Sequence, residues 1–397
     1  MRSPNWSPVF LMPEDRHNAG FGIYVHWPFC QSKCPYCDFN SHVSNQVDQS
    51  QWAKAFVLEI ERYRKQTPDR LVNSVFFGGG TPSLMSPALV ETILTAISES
   101  WPVANDVEIT LEANPTSVET QKFRDLQSAG VNRLSLGIQS LNDNDLKRLG
   151  RLHSASEAQR ALDVARQVFQ RVSFDLIYAR QHQTLADWES ELGLALSFGT
   201  EHMSLYQLTV ESSTAFGRLH KAGKLLGLPK DDVSADMYAL TQQMCNDAGL
   251  PAYEVSNHAV PGAESKHNLV YWRCGDFLGI GPGAHGRLAI GDKRFATEAE
   301  MMPDAWLSEA LDLTGETVRD QLNTRDIALE YLLMSLRLSE GLDISRLNEL
   351  DNSLLNNDKI SELSALGLLN VDSDRLIATQ KGRMVLNSVI QELANDC

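Results

Sequence analysis

Tyr24-Val25-His26-Trp27-Pro28-Phe29-Cys30-Gln31-Ser32-Lys33-Cys34-Pro35-Tyr36-Cys37 puts three of the six cysteines within eight residues, spaced Cys-x3-Cys-x2-Cys. Three thiolates this close can each hold one iron of a [4Fe–4S] cluster, leaving the fourth iron without a protein ligand. A small chelating molecule can take that open position. Zinc is the competing reading. Structural zinc wants four closed ligands, and its usual second Cys or His pair is not evident, although His26 or His42 could complete a Cys3His set. No secretory signal is evident, so a reducing compartment is expected, where a disulfide does not persist.

Outward from the cysteines, strand and helix alternate as far as about Val210. Strands are expected at Gly22–Trp27, Ser74–Phe77, Val107–Glu112, Arg133–Gln139, Val172–Tyr178 and His202–Thr209. Helical patterns lie between them at Gln51–Tyr63, Ala88–Ser98, Val118–Ser128, Ser156–Phe169 and Leu185–Leu196. The strands are short and rich in Val, Ile, Leu and Phe, as parallel strands buried on both faces should be. Six such units predict an α/β fold, a partial six-stranded (β/α)6 TIM-like barrel left open on one side.

In barrels of this kind functional residues gather at the carboxyl ends of the strands. Here those ends carry the cysteine loop, Gly78-Gly79-Gly80-Thr81, Glu112, Gln139 and Asp175. Glycines let backbone amides approach a ligand closely, and the carboxylates and amide offer hydrogen bonds at the mouth. Taken singly, each residue has a plainer reading: a tight turn, a structural salt bridge, a strand terminus.

Together the cysteine stretch and Gly78-Gly79-Gly80-Thr81-Pro82 resemble the radical S-adenosylmethionine (SAM) family. More narrowly the chain resembles the oxygen-independent coproporphyrinogen III dehydrogenases and the HemW-type haem chaperones, from about Phe21 to its last residues. The resemblance implies a [4Fe–4S] cluster on Cys30, Cys34 and Cys37 whose open iron is chelated by the amino and carboxylate groups of SAM. One electron would then break the sulfonium bond to give a 5′-deoxyadenosyl radical, so an electron donor is implied. It also implies SAM contacts from Tyr24, Tyr36, Gly79, Gly80, Thr81, Glu112, Gln139, Arg151 and Asp175. Without the family, Arg151 would read as a solvated charge and the tyrosines as buried aromatics.

Within that branch three features resemble the chaperones. The dehydrogenases have a further cysteine two positions after the triplet, and Phe39 stands there. They also carry a longer segment ahead of the cluster, whereas 29 residues precede Cys30. Finally, His267-Asn268-Leu269-Val270-Tyr271-Trp272 matches the chaperones' His-Asn-x-x-Tyr-Trp motif. An imidazole is a common haem-iron ligand, and Tyr271 and Trp272 could lie on a porphyrin face. The plainer reading is a strand with core aromatics and a satisfied histidine. Cys274 and His285 are nearby alternative ligands, and Cys245 and Cys397 look incidental. The resemblance implies haem as cofactor, delivery to haem-acceptor proteins (membrane respiratory enzymes are candidates), and no coproporphyrinogen decarboxylation. One departure stands out. The family follows Asp175-Leu176-Ile177-Tyr178 with Gly-Leu-Pro, and this chain has Ala179-Arg180-Gln181.

The composition agrees with a soluble globular chain: 397 residues, 43% hydrophobic, net charge −16 and pI near 5.1. That acidity disfavours nonspecific nucleic-acid binding, which needs basic surface. No apolar run approaches the roughly 20 residues of a membrane helix, and the cytoplasm is expected. Residues 1–20 read as a lead-in, 21–211 as the partial barrel and 212–320 as an α+β extension around Gly279-Ile280-Gly281-Pro282-Gly283. Its elements are expected to be a helix at Asp231–Ala248 and strands at Ala252–Asn257, Leu269–Arg273 and Arg287–Ile290. Residues 321–397 read as a helical, winged-helix-like unit, with helices at Asp326–Leu338, Ile344–Glu349, Leu354–Leu366 and Lys381–Leu393 and a hairpin at Leu369–Asp372 and Leu376–Ala378.

Overall fold

The computed structural model of the chain describes residues 19–44 and 46–394, so most of the expected lead-in and Cys397 lie outside the described residues. Six parallel strands, β1 (Phe21–Trp27), β2 (Val72–Gly79), β3 (Val103–Ala113), β4 (Arg133–Gln139), β5 (Arg171–Tyr178) and β6 (His202–Gln207), lie side by side in chain order. Helices join them, as parallel neighbours require. Their ends are set by local chemistry. Ser154 and Thr184 close capping boxes with Glu157 and Asp187 at the starts of the helices Ala155–Val168 and Leu185–Ser197. The expected helix Val118–Ser128 is instead two short pieces, Ser117–Thr120 and Phe123–Ser128.

The sheet continues on both sides. Beyond β6 lies β7 (Asn257–Ala259), antiparallel; beyond β1 lie β8 (Asp276–Ile280), parallel, then β9 (His285–Ile290), β10 (Lys293–Ala299) and β11 (Glu316–Leu322), antiparallel. Two expected strands differ. Of Ala252–Asn257 only Asn257 enters a strand, β7, and Ala252 makes a bridge to His258. Leu269–Arg273 belongs to a helix, Lys266–Trp272. Its run of Leu, Val, Tyr and Trp reads as strand, but Ser265 caps the first turn. Four residues apart on that helix, His267 Nε2 meets the Tyr271 hydroxyl at 2.8 Å.

The pleat divides the sheet into two chemistries. Ile23, Val25, Val75, Phe77, Ile109, Leu111, Leu134, Leu136 and Phe174 are buried in the main apolar core with the helices. The alternate positions carry Tyr24, Ser74, Glu108, Glu112, Arg133, Ser135 and Asp175. So the strands are covered on both sides, as expected, but one covered side is polar. At the amino ends of the strands this polar face is closed by charge. Arg171 bonds Glu108 at 2.6 Å, and Arg133 Nε lies 3.8 Å from the same carboxylate. Burial pushes the Glu108 carboxyl up, yet the two guanidiniums outweigh it and hold it below its ordinary value.

A second apolar core gathers Ala328, Leu332, Leu347, Leu363, Leu376 and Val389, with Cys274 reaching into it. Its helices are Thr324–Ser335, Ile344–Leu350 and Asn357–Ala365, with a three-stranded sheet of Leu342–Asp343, Arg375–Ala378 and Leu369–Asp372. The expected last helix breaks at Val385 into Gln380–Met384 and Leu386–Ala394.

The Ala179-Arg180-Gln181 departure is built around a buried cation. Ala179 takes φ +56°, the region where glycine is comfortable. Arg180, only 3% exposed, bonds Asp145 at 2.9 Å as well as Glu191 and the Ile177 carbonyl. Glu191 in turn accepts from Ser140 Oγ at 2.8 Å and Leu141 N at 2.7 Å. The network therefore ties the end of β5 to the end of β4. Replacing Arg180 with Leu leaves the Glu191 carboxylate without a cation, while Asp145 keeps Arg148 at 2.9 Å, and should destabilise the protein by about 3–5 kcal/mol. Denaturant unfolding of Arg180→Leu checks this, and Arg180→Leu with Glu191→Gln should recover part of the loss. Additive losses would show that the pair does not act as one unit.

Candidate cluster and cofactor site

The cysteine loop leaves β1 and is bolted onto β2 through backbone contacts. Gly80 N donates to Trp27 O at 2.7 Å and Thr81 N to Phe29 O at 2.9 Å, while Phe29–Cys30 pairs with His42–Val43. A Cβ on Gly80 would sit 2.7 Å from Phe29 O and 3.0 Å from Cys30 Sγ, and Gly79 takes φ +108° with His26 against it. Glycine is required at both positions by contact and by conformation.

Each sulfur has a polar side chain beside it. Thr81 Oγ1 donates to Cys30 Sγ at 3.5 Å, Arg151 Nη1 to Cys34 Sγ at 3.5 Å, and Ser41 Oγ lies 3.8 Å from Cys37 Sγ. Such neighbours stabilise thiolates and tune whatever metal centre they hold. Burial pushes the free Cys30 and Cys37 thiols up, and the hydrogen bonds from Thr81 and Ser41 oppose it. Among the described residues no three or more His, Cys, Asp or Glu are grouped to hold one metal ion. A cluster spreads its three cysteines over three irons and does not need that convergence. His26 and His42 are engaged elsewhere: His26 Nδ1 meets the Tyr24 hydroxyl at 3.0 Å, His26 Nε2 the Asn40 carbonyl at 2.9 Å, and His42 Nε2 Asn40 Oδ1 at 2.9 Å.

The three cysteines open onto a cavity of about 150 Å3 that Tyr36, Gly79, Gly80, Thr81, Glu112, Gln139, Arg151 and Asp175 also line. Residues from four strands and from the loops that carry the cysteines and Arg151 thus converge. Gln139 holds φ +70°, and its Oε1 is buried without a hydrogen-bond partner, an acceptor left over for a ligand. Glu112 is pushed up to about 8 by burial and then by the charge of Asp175, and burial pushes Asp175 up to about 6. Arg151 bonds the Gly137 carbonyl at 2.8 Å and also Asn114 Oδ1. Asn114 donates to Thr81 Oγ1 at 3.1 Å. Asn114 is absent from the set expected from sequence, although it stands two residues past Glu112 at the same strand end.

Tyr24 is the one residue of the expected SAM set that does not line the cavity. It lies a layer lower on the polar face, stacked on Phe76 with centroids 6.2 Å apart, below Gly78. The His-Asn-x-x-Tyr-Trp residues lie lower still, toward the amino ends of the strands. His267 is 1% exposed. Its Nδ1 meets Ser74 Oγ at 2.9 Å, its Nε2 meets Tyr271, and its ring stacks on Phe76 at 5.1 Å. Asn268 donates to the Tyr253 hydroxyl at 3.2 Å, and Trp272 is half-buried on the same helix. As placed, neither ring nitrogen of His267 is free for iron. Cys274 is buried with φ +55°, and His285 is exposed beside Glu298.

These residues suit a [4Fe–4S] cluster with SAM: three sulfurs on one wall, a glycine-lined approach, and acceptors facing the cavity. Comparison with known proteins agrees. The pattern of the radical SAM superfamily matches residues 24–195, and that of the HemN C-terminal domain matches residues 322–385. The chain is 36% identical to the heme chaperone HemW of Escherichia coli over 375 residues, covering 93% of this chain and 97% of that one. It is 40% identical to the mitochondrial radical S-adenosyl methionine domain-containing protein 1 of Mus musculus over 384 residues, covering 94% and 86%. The solved structure of coproporphyrinogen III oxidase (HemN) from Escherichia coli matches with a TM-score of 0.80 at 22% identity, covering 96% of this chain and 92% of that one. No helix among the described residues is long and apolar enough to cross a membrane. The chain belongs to the radical SAM superfamily, in the branch of the HemW-type haem chaperones.

Proposed function

We propose that this protein is a haem chaperone: it binds haem, carries a [4Fe–4S] cluster with SAM, and hands haem to acceptor proteins. The observation that carries this reading is the end-to-end similarity to a relative named heme chaperone HemW, at 36% identity with more than nine-tenths of both chains covered. Phe39 supports it. It stands where the dehydrogenases have their further cysteine, lines the cluster cavity and is 61% exposed, so that position offers no thiol.

Cys30, Cys34 and Cys37 would hold three irons, and Gly79, Gly80, Thr81, Gln139, Glu112, Asp175 and Arg151 would hold SAM. When bound, the cluster and SAM supply one-electron cleavage of the sulfonium bond. The chain's own residues do the positioning. Gly79 and Gly80 allow backbone approach, Gln139 Oε1 accepts a hydrogen bond, and Glu112 and Asp175 face the cavity as acceptors for amine or ribose hydroxyls. Arg151 holds Cys34 and the β4 end together.

Three tests follow from this arrangement. Cluster-reconstituted protein should bind haem stoichiometrically by its Soret band and release it to apo-haem proteins. With coproporphyrinogen III, SAM and reductant it should give no vinyl product. Decarboxylation at a useful rate by anaerobic chromatography would make it a dehydrogenase.

The raised carboxyls give a pH signature. A carboxyl whose folded pKa lies above its unfolded value, about 4, stabilises the fold when protonated. That contribution is fully present below about pH 4. It is lost as pH rises through about 6 for Asp175 and about 8 for Glu112. Metal-free protein should therefore melt at falling temperature between about pH 4 and 8, and Glu112→Gln should raise its melting temperature near pH 8.5 while weakening SAM binding. A variant no more stable than the parent there would show that the carboxyl carries no such strain.

His267 packs with both ring nitrogens bonded, to Ser74 and Tyr271. His267→Ala strips partners from Ser74 and Tyr271 and should cost at least about 2 kcal/mol. Haem affinity, measured well below the melting point, should stay within about threefold. A tenfold loss with a shifted Soret band would instead make His267 the iron ligand, with its helix turned outward.

A further inference from the structure

At the seam between the helix layer outside β5 and β6 and the C-terminal unit lies a cavity of about 320 Å3, separate from the cysteine site. Tyr178, at the end of β5, forms one wall and stacks on Trp188 at 5.2 Å. Val255 and Ser256 form another, Tyr238 comes from the helix Asp231–Asp247, and Arg383 and Met384 come from the turn Gln380–Met384. Asp231 stands at the exposed rim.

Two polar groups here have unspent capacity. Arg383 is half-buried and makes no salt bridge among the described residues, in a chain where 51 acidic side chains outnumber 35 basic ones. The other half-buried arginines of the fold are mostly paired: Arg62, Arg171, Arg287 and Arg319 each bond a glutamate. The Tyr238 hydroxyl is buried with no hydrogen bond of ordinary geometry. Burial pushes that phenol up, the neighbouring Arg383 opposes the shift and the charge of Glu254 adds to it, so Arg383 lies close to the hydroxyl with Glu254 in the vicinity. Beside them the surface is apolar: Met384 is 47% exposed and Val385 45%.

An unpaired guanidinium and a donor hydroxyl facing a cavity recognise an oxyanion, and the planar guanidinium fork suits a carboxylate in particular. The apolar lip argues against a fully hydrated anion and for a carboxylate borne on an apolar body. We infer that Arg383 and Tyr238 bind a carboxylate arm of the cargo, which under the haem reading above is a haem propionate, with the macrocycle lying over Met384 and Val385. The inference rests on that reading. A cavity of this size admits the arm and one edge of the ring, so the rest of the macrocycle is left at the surface, from which transfer to an acceptor is direct. It also gives the C-terminal unit a task, since Arg383 is the only one of the pair that this unit supplies.

The test titrates haem and haem dimethyl ester, which lacks the charged carboxylates, into cluster-reconstituted full-length protein and its Arg383→Met, Arg383→Lys and Tyr238→Phe variants. Cluster absorbance serves as the check on folding. Expected is a loss of haem affinity of about tenfold or more in Arg383→Met, a smaller loss in Arg383→Lys and Tyr238→Phe, and ester binding that is weak in the parent and unchanged by Arg383→Met. Equal haem binding by parent and Arg383→Met, or ester bound by the parent as tightly as haem, overturns the inference and leaves the chaperone reading standing. A parent that binds no haem overturns both.

Discussion

The close approach of two backbones, Trp27–Cys30 and Gly79–Thr81, is the constraint on which the site depends. Two amide hydrogen bonds hold the cysteine loop against the end of β2, at a distance that leaves no room for a side chain at position 80. Beyond the short strand Phe29–Cys30 the loop has little regular structure, so Cys34 and Cys37 are placed by this contact rather than by a helix or strand of their own. Once it is made, Thr81 reaches Cys30 and Asn114 reaches Thr81, and Arg151 bridges Asn114, Gly137 and Cys34. The cysteine loop and the ends of β2, β3 and β4 become one hydrogen-bonded rim. That rim fixes where a cluster can sit before any iron arrives.

The same sheet solves an opposite problem at its other end. A polar inner face exposes charged side chains that must be neutralised where no ligand enters. Glu108, Arg133 and Arg171 do this together, and His267 and Tyr271 fill the remaining space with both nitrogens of the imidazole bonded. A buried ion network of this kind is weak as a source of stability, because desolvation offsets most of the attraction. Its effect is to leave one end of the polar face closed and the other open to the cavity.

Much of this was legible in the chain alone. The six strand positions, the order of helices and the residues at the strand ends follow from apolar runs bounded by glycine and polar residues, and that pattern is physical. Cys30, Cys34, Cys37, Glu112, Gln139, Arg151 and Asp175 do meet at one cavity. What the sequence hid depended on tertiary contact. His267–Trp272 has strand-like composition, and its helix follows from the Ser265 cap and the His267–Tyr271 bond, which are formed together with packing on Phe76. Tyr24 is one pleat away from the cavity, and no periodicity reports how deep a layer lies. The role of Arg180 could not be foreseen either, because Asp145 and Glu191 reach it from helices 35 and 11 residues away in sequence.

The placement of His267 bears on how haem would be held under the proposed chaperone function. A ligand to iron needs a free lone pair directed at open space, and here both nitrogens of His267 are bonded within the closed end of the sheet. Haem bound to this conformation would therefore take its hold elsewhere on the protein, or the helix Lys266–Trp272 would have to leave the sheet at the cost of its bonds to Ser74, Glu108 and Tyr253. The energetics favour the first. Moving the helix would break hydrogen bonds that lie in the interior, and buried polar groups left without partners cost about 1–3 kcal/mol each. A carrier also benefits from holding its cargo at a surface: the acceptor can then engage the macrocycle before the carrier has let go. On that argument the apolar rims of the molecule, and the cations beside them, are where the proposed handover would be decided.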